Sequence, residues 1–175
     1  MRIGYRHCDP RFPFLWQSPV QPAARWHADG DGPANYFADT PTGAWAEFLR
    51  HEGITNEADL AGVKRALWAV EIPEGPAGVP KLPDAVLFGD ESSYPACQTE
   101  ARRLRAAGFA RLAVRGAALL PSEARGWTAL GTVTREASAR DARVWVHYGP
   151  CPWVGWIIVS AGSPPPEALP LVRHL

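Results

Sequence analysis

The stretch "AARWHADGDGPANYFADTPTGAWAEFLRHEG" (Ala23–Gly53) decides the fold, because it predicts a strand, a turn and a helix in close succession. Its segment "ANYFAD" is typical of a short β-strand. Thr40 or Thr42 can cap the helix that follows, and Pro41 suits the first helical turn. Gly53 suits the position just after the helix. The stretch therefore predicts a helix that begins near Pro41 and ends before Gly53.

The predicted helix places one carboxylate beside its buried face. Glu47 and His51 lie four residues apart, so they share one flank of the helix. A helix flank next to the core can hold a carboxylate rigidly toward a cleft, whereas His51 is interpreted as a surface partner of Glu47. The apolar residues spaced for the buried face are Ala44, Trp45, Phe48 and Leu49.

The rest of the chain predicts strands interrupted by a second helix. That helix runs over Tyr94–Phe109, with Pro95 at its start and Gly108 at its end. Its inward-facing residues are Cys97, Ala101 and Leu104. Loops are predicted at 9–22 and 74–83, and a proline-rich tail at 163–175. Strands are predicted at 3–8, 25–32 (running into the "DGDG" turn), 34–39, 65–73, 110–119, 131–137, 143–149 and 154–162. Without a regular βαβ rhythm, this order indicates an α+β fold.

Composition excludes several classes of protein. The chain has 175 residues with 18 Lys+Arg against 18 Asp+Glu, and this zero net charge argues against nucleic-acid binding by bulk electrostatics. There is no apolar run of about 18 residues and no secretion signal at the N-terminus, so we expect a cytoplasmic protein without a membrane span. Cys8, Cys97 and Cys151 form no CxxC pair, which favours reduced thiols over a zinc site or a disulfide scaffold. The glycine-rich phosphate-binding motifs are missing.

Four segments together resemble the RES domain family: "GYRHC", "ARWHADGDGPANYFADTP", "GAWAEFLRHEG" and "CQTEARRLRAAGFARLAVRGAAL". The resemblance covers roughly residues 5–120 and implies that residues 1–175 form one RES-like domain. It implies an ADP-ribosyltransferase-like fold, with mixed or antiparallel sheets and a few flanking helices. The family consists of bacterial enzymes that consume NAD and are commonly the toxins of toxin–antitoxin pairs.

The resemblance also assigns site residues. The family's arginine, tyrosine and glutamate match Arg25 in "ARWH", Tyr36 in "NYFADT" and Glu47 in "AWAEFLRH", and these are the expected catalytic residues. An arginine near the start of the domain matches Arg6. The family's serine falls at Gly116, preceded by Arg115, and this departs from the family pattern. The residues expected to bind NAD are Arg6, Arg25, Tyr36, Arg115 and Gly116.

Each of these residue types suits one part of NAD. Cleavage of the nicotinamide–ribose bond builds positive charge on the ribose, and the carboxylate of Glu47 can stabilise that charge. The ring of Tyr36 can stack on the cationic nicotinamide. The guanidiniums of Arg25 and Arg6 suit the pyrophosphate, and Arg115 can bind an anionic acceptor. We therefore expect Arg25, Tyr36 and Glu47 to converge on one cleft, and a serine at position 116 to increase activity.

Three functions remain open from the sequence. The first is an NAD-degrading enzyme that uses water or inorganic phosphate as the acceptor, with NAD as its substrate and no metal. The second is a protein ADP-ribosyltransferase that uses the same pocket. The third is a catalytically weakened RES-like binding protein. The toxin interpretation implies a helix-turn-helix antitoxin as partner. The segment "HYGPCPWVGW", with Trp153 and Trp156, is interpreted either as edge-strand packing or as an apolar patch that meets a partner.

Overall fold

The computed structural model describes residues 2–12, 15, 18, 20–150 and 155–175. Its main element is a six-stranded sheet in the order β4-β7-β2-β1-β3-β8, in which every neighbouring pair is antiparallel. β5 and β6 form a separate hairpin. The predicted α+β class is confirmed. The strands are β1 (Arg2–Cys8), β2 (Ala34–Ala38), β3 (Arg65–Ile72), β4 (Arg111–Arg115), β5 (Trp127–Leu130), β6 (Val133–Glu136), β7 (Arg143–Tyr148) and β8 (Gly155–Gly162).

Helices flank this sheet. α1 (Pro41–His51) and α3 (Tyr94–Ala106) are the two long ones, and both were predicted; α2 (Asp84–Leu87) is a single turn that the sequence analysis missed. Short 3₁₀ segments cover Glu57–Gly62, Glu91–Ser93 and Pro166–Leu171. Within the described residues, no helix is long and apolar enough to cross a membrane.

α1 forms where the capping residues predict it. The hydroxyl of Thr40 accepts a hydrogen bond from the backbone N–H of Gly43 at 3.0 Å, so Thr40 rather than Thr42 is the N-cap. Pro41 is the first helical residue, and Gly53 adopts a positive φ just beyond the helix end. The predicted apolar stripe is buried against β1, β2 and the C-terminal 3₁₀ segment: Ala44, Trp45, Phe48 and Leu49.

α3 also confirms its predicted inward face. Cys97, Ala101 and Leu104 are buried against β4 and β7, and Gly108 follows the helix with a positive φ. Cys97 is a free thiol, as is Cys8. Cys151 and Trp153 lie outside the described residues, so both interpretations of the segment 147–156 stay predictions.

The predicted strand over residues 25–32 is wrong. The chain reverses tightly at Ala24 and His27, whose backbone groups pair at 2.9 and 3.2 Å. Asp29 accepts a hydrogen bond from the N–H of Ala23, and Asp31 accepts one from the N–H of Ala28. These aspartates satisfy the backbone locally, which favours turns over a strand ladder.

The central strands of the sheet separate at one end. β1 and β2 share one register pair, Tyr5 with Ala38, whereas β1 pairs with β3 along its whole length. A cavity opens beside this separation, between α1, the turn at Ala24 and the start of α3.

Candidate active site

A cavity of about 330 Å³ brings together the predicted site residues from distant parts of the chain. Arg6 lines it from β1, Arg25 from the turn at Ala24, Tyr36 from β2, Glu47 from α1 and Arg115 from the end of β4. The structure does not bring Gly116 to this cavity. The predicted trio of Arg25, Tyr36 and Glu47 thus faces one cleft.

Glu47 presents its carboxyl group on the flank of α1 toward the cavity. Burial raises the pKa of this carboxyl. The guanidiniums of Arg50 and Arg25 act in the opposite direction, as do the backbone amides of Ala118 and Ala117. Burial thus favours the neutral carboxyl, whereas the neighbouring cations and backbone amides favour the carboxylate.

Tyr36 has a hydroxyl group that is fully engaged by the protein. It accepts a hydrogen bond from the backbone N–H of Trp26 at 3.1 Å and lies 2.9 Å from Nδ1 of His27. Nε2 of His27 lies 2.8 Å from the carbonyl oxygen of Pro22 and must donate to it, so Nδ1 accepts from the tyrosine. Burial lowers the pKa of His27, which favours this neutral tautomer. Burial also raises the pKa of the Tyr36 hydroxyl, so this hydroxyl keeps its proton. Tyr36 contributes to the cavity lining.

Arg25 is held in place by hydrogen bonds to neutral groups. Its guanidinium donates to the carbonyl oxygen of Gly89 at 2.7 Å and to that of Val86 at 3.2 Å. It also donates to the hydroxyl of Ser93 at 3.0 Å and stacks on the ring of Tyr94, 4.7 Å from its centroid. Most of its donors are therefore used within the protein, and Arg25 acts on a ligand mainly through its charge.

Arg6 has free hydrogen-bonding capacity. It donates to the side-chain oxygen of Asn35 at 2.7 Å, and among the described residues it makes no ion pair with a carboxylate. Burial lowers the pKa of its guanidinium. A half-buried cation that has one neutral partner and four further N–H donors is suited to bind an anion.

Arg115 is the least available cation of the set. It pairs with Asp84 at 2.6 Å and with Asp141 at 3.4 Å, and it stacks on the ring of Phe88. Gly116 is buried behind it, with its N–H bonded to the carbonyl oxygen of Ala142 at 2.8 Å. The residue at the family's serine position is thus part of the strand connection and lies outside the cavity wall.

Among the residues that line this cavity and that the sequence analysis missed are Arg50, His7 and Tyr94. Arg50 lies one helical turn after Glu47, a spacing that places both on one flank and could have revealed it. His7 stacks on Trp45 and contacts Phe48 edge-on, and burial lowers its pKa to about 3. Tyr94 reaches the site only because α3 packs beside the turn at Ala24, so no local signal identifies it.

The polar part of the cavity lining includes guanidiniums, tyrosine hydroxyls, two histidines and the carboxyl groups of Glu47 and Glu91. In the described part of the chain, no group of three or more His, Cys, Asp or Glu side chains could hold a metal ion. The arrangement can bind an anion through Arg6, present a flat ring and place a carboxylate near a developing positive charge.

Comparison with known proteins adds the family and a fold likeness. The model of the RES domain family matches residues 3–153. A chain from the crystal structure of the M. tuberculosis MbcT–MbcA toxin–antitoxin complex is similar, with a TM-score of 0.59 and 14% identity over 91% of this chain and 84% of that chain. At this identity, the likeness concerns the fold alone. A search of the curated proteins found no match.

Proposed function

This chain belongs to the RES domain family, and we propose that it is an NAD-consuming enzyme that cleaves the bond between nicotinamide and ribose. The observation that carries the proposal is the meeting of Glu47, Tyr36 and several guanidiniums in one cavity. NAD has a cationic aromatic ring at one end and an anionic pyrophosphate in its middle. A cavity lined by carboxyl groups, aromatic rings and several guanidiniums complements both features.

In this proposal, Arg6 binds the pyrophosphate. Arg6 is half-buried, its guanidinium is bonded to one neutral amide, and it keeps donors for phosphate oxygens. Arg25 adds positive charge from a fixed position, because its donors are bonded to Gly89, Val86 and Ser93. Arg115 is already paired with two aspartates, so it contributes little to binding.

Glu47 would stabilise the ribose as its positive charge develops. The glycosidic bond between the nicotinamide nitrogen and C1″ of its ribose breaks, and its electron pair leaves with nicotinamide. An oxygen of water or inorganic phosphate then bonds to C1″, and when water is the acceptor it loses a proton to solvent. The ionised carboxylate is required because only a negative charge favours the oxocarbenium-like transition state.

Tyr36 would hold the nicotinamide by its ring face. Its hydroxyl is bonded to Trp26 and His27, which fixes the ring plane in the cavity. A ring held in this way can receive a cationic ligand without losing side-chain freedom on binding.

The fold likeness to a chain of a toxin–antitoxin complex supports the proposal that this chain acts as a toxin with a protein antitoxin. The helix-turn-helix type of that antitoxin is part of the same proposal. We expect expression of the wild-type chain to lower cellular NAD and stop growth. The Glu47→Gln variant is expected to do neither.

The decisive experiment measures NAD consumption by the Glu47→Gln variant. This change keeps the size of the side chain and removes its charge, so we expect a folded protein that releases no nicotinamide. Glu52→Gln is the matched control, because Glu52 is an exposed glutamate at the end of the same helix. Nicotinamide release by Glu47→Gln at the wild-type rate would show that Glu47 is not catalytic.

The products of the wild-type reaction identify the acceptor. Formation of ADP-ribose indicates water, and formation of its 1″-phosphate in phosphate buffer indicates phosphorolysis. Label transfer from NAD to an added protein would indicate a protein ADP-ribosyltransferase instead. Binding of NAD without nicotinamide release would indicate a binding protein.

A further inference from the structure

Arg50 connects three segments of the chain that surround the candidate site. Its guanidinium donates hydrogen bonds to the carbonyl oxygens of Ala117, Phe88 at 2.7 Å and Gly89 at 3.0 Å. The residue is only 8% exposed. One side chain on α1 thus fixes both the loop after β4 and the turn after α2.

The three acceptors of Arg50 are neutral carbonyls, and no carboxylate in the described part of the chain bonds to it. A buried guanidinium without an ion pair costs free energy unless its N–H groups are bonded and an opposite charge lies near. Glu47, one helical turn earlier, supplies that charge without a direct bond, whereas the nearby guanidinium of Arg25 repels Arg50. Burial lowers the pKa of Arg50 even with these neighbours, so its bonds to three carbonyls and the charge of Glu47 offset the cost of burial only in part.

One segment that Arg50 holds lines the cavity together with Glu47, and the other bonds to Arg25. The backbone amides of Ala117 and Ala118 act on the Glu47 carboxyl. The carbonyl oxygen of Gly89 accepts hydrogen bonds from both Arg50 and Arg25. Movement of either segment would displace the groups that orient the carboxylate and the second guanidinium together.

We propose that Arg50 is a positioning residue, which clamps the loop at Ala117 and the turn at Gly89 around Glu47. The clamp keeps two backbone amides against the carboxylate and keeps Arg25 in place. The effect of Arg50 on activity rests on the proposed function, whereas its effect on the titration of the Glu47 carboxyl can be measured without any reaction.

The charge of Arg50 adds a second effect, because it favours the ionised form of Glu47. Removal of this charge raises the pKa of Glu47 further, so the carboxylate forms only at higher pH. Arg25 and the amides of Ala117 and Ala118 remain as opposing influences. The other charged or titratable groups around the cavity, besides its tyrosines, are Arg6, His7, His51, Glu91 and Arg115.

Two variants separate the clamp from the charge. Arg50→Gln keeps one amide donor and removes the charge. Arg50→Lys keeps the charge, but a single ammonium cannot reproduce the planar fork that reaches three carbonyls. The control is Arg125→Gln, because Arg125 is exposed and pairs with Glu123, two residues away.

The first measurement is the ¹³C NMR titration of the Glu47 carboxyl, assigned by its loss in Glu47→Gln. We expect an upward shift of the titration midpoint in Arg50→Gln, a smaller upward shift in Arg50→Lys, which keeps the charge but loosens the clamp on the two amides, and no change in the control. This readout uses no NAD, so it tests the inference even if the protein does not consume NAD.

The second measurement is the pH profile of nicotinamide release. We expect Arg50→Gln to lose roughly tenfold or more in kcat at neutral pH, as misplaced catalytic groups commonly do, and to recover in part at higher pH. Arg50→Lys should lose kcat with a pH profile that shifts less than that of Arg50→Gln. A wild-type protein that releases no nicotinamide would refute the proposed function and leave the titration result standing.

A folded Arg50→Gln variant with an unchanged Glu47 titration and an unchanged pH profile would overturn the inference. If Arg50→Gln does not fold, Arg50→Lys decides: a folded lysine variant with wild-type kcat would show that the three-carbonyl clamp is unnecessary.

Discussion

Substitution of Gly116 by serine tests whether the family's serine position can be restored in this chain. A Cβ atom placed on Gly116 would lie 2.8 Å from the Cβ of Ala142 and 3.4 Å from its carbonyl carbon and oxygen. The two segments cannot separate freely, because the N–H of Gly116 is bonded to the carbonyl oxygen of Ala142 and Arg115 pairs with Arg143 in the sheet. We therefore expect Gly116→Ser to destabilise the protein, contrary to the gain in activity that the sequence alone suggests.

Overpacking of a buried position by one such group costs about 1–3 kcal/mol. For a chain of this length, each kcal/mol lowers the melting temperature by roughly 2–4 °C, so we expect a loss of roughly 2–12 °C. Calorimetry or circular dichroism measures this loss. Gly116→Ala should lose about as much, because the clash comes from the Cβ and not from the hydroxyl.

The double variant Gly116→Ser with Ala142→Gly isolates the cause. Removal of the Cβ from Ala142 relieves the 2.8 Å contact, so the two substitutions should couple favourably. A Gly116→Ser variant that has the wild-type melting temperature and consumes NAD faster than the wild type would refute this prediction. That outcome would mean that the segment moves and brings the hydroxyl to the cavity.

Three further predictions concern the cavity and its neighbours. Tyr36→Phe removes a hydroxyl that is hydrogen-bonded to Trp26 and His27, so the free energy of unfolding should fall by about 1–3 kcal/mol in urea denaturation. An unchanged urea midpoint would contradict these two hydrogen bonds. Arg6→Gln should raise KM for NAD more than it lowers kcat. A KM equal to that of the wild type would show that Arg6 does not bind NAD. Burial lowers the pKa of His7 to about 3, so the imidazole stays neutral in the folded protein. The unfolded chain binds this proton near pH 6.5, so the free energy of unfolding falls as pH drops from about 6.5 toward 3, by up to about 1.4 kcal/mol per pH unit. His7→Phe should therefore lose less stability than the wild type between pH 7 and pH 5, and an equal loss would refute this assignment.

The helix α1 illustrates what could be predicted from neighbouring residues. Its cap at Thr40, its end before Gly53 and its apolar stripe all depend on residues within a few positions, and all are confirmed. The flank that carries Glu47 follows from the same periodicity. The strand predicted over residues 25–32 failed for a local reason, because two aspartates bond to the backbone there and replace a strand ladder.

The candidate site depended on the tertiary structure for most of its detail. The order of Arg25, Tyr36 and Glu47 pointed to one cleft only through the family resemblance, and the fold brings them to one cavity. The sequence did not indicate that Arg25 is held by carbonyl groups more than sixty positions away. Nor did it indicate that Arg50 would be buried beside Glu47.

The sequence by itself determined the α+β class, the two long helices and the placement of Glu47 on a helix flank, because capping and periodicity act between residues close along the chain. Only the tertiary structure decided which donors of Arg6 stay free, that the Tyr36 hydroxyl is engaged and that Gly116 faces Ala142 instead of the cavity. These properties depend on hydrogen-bond partners and packing space supplied by distant segments, and such contacts exist only once the sheet and its helices have assembled.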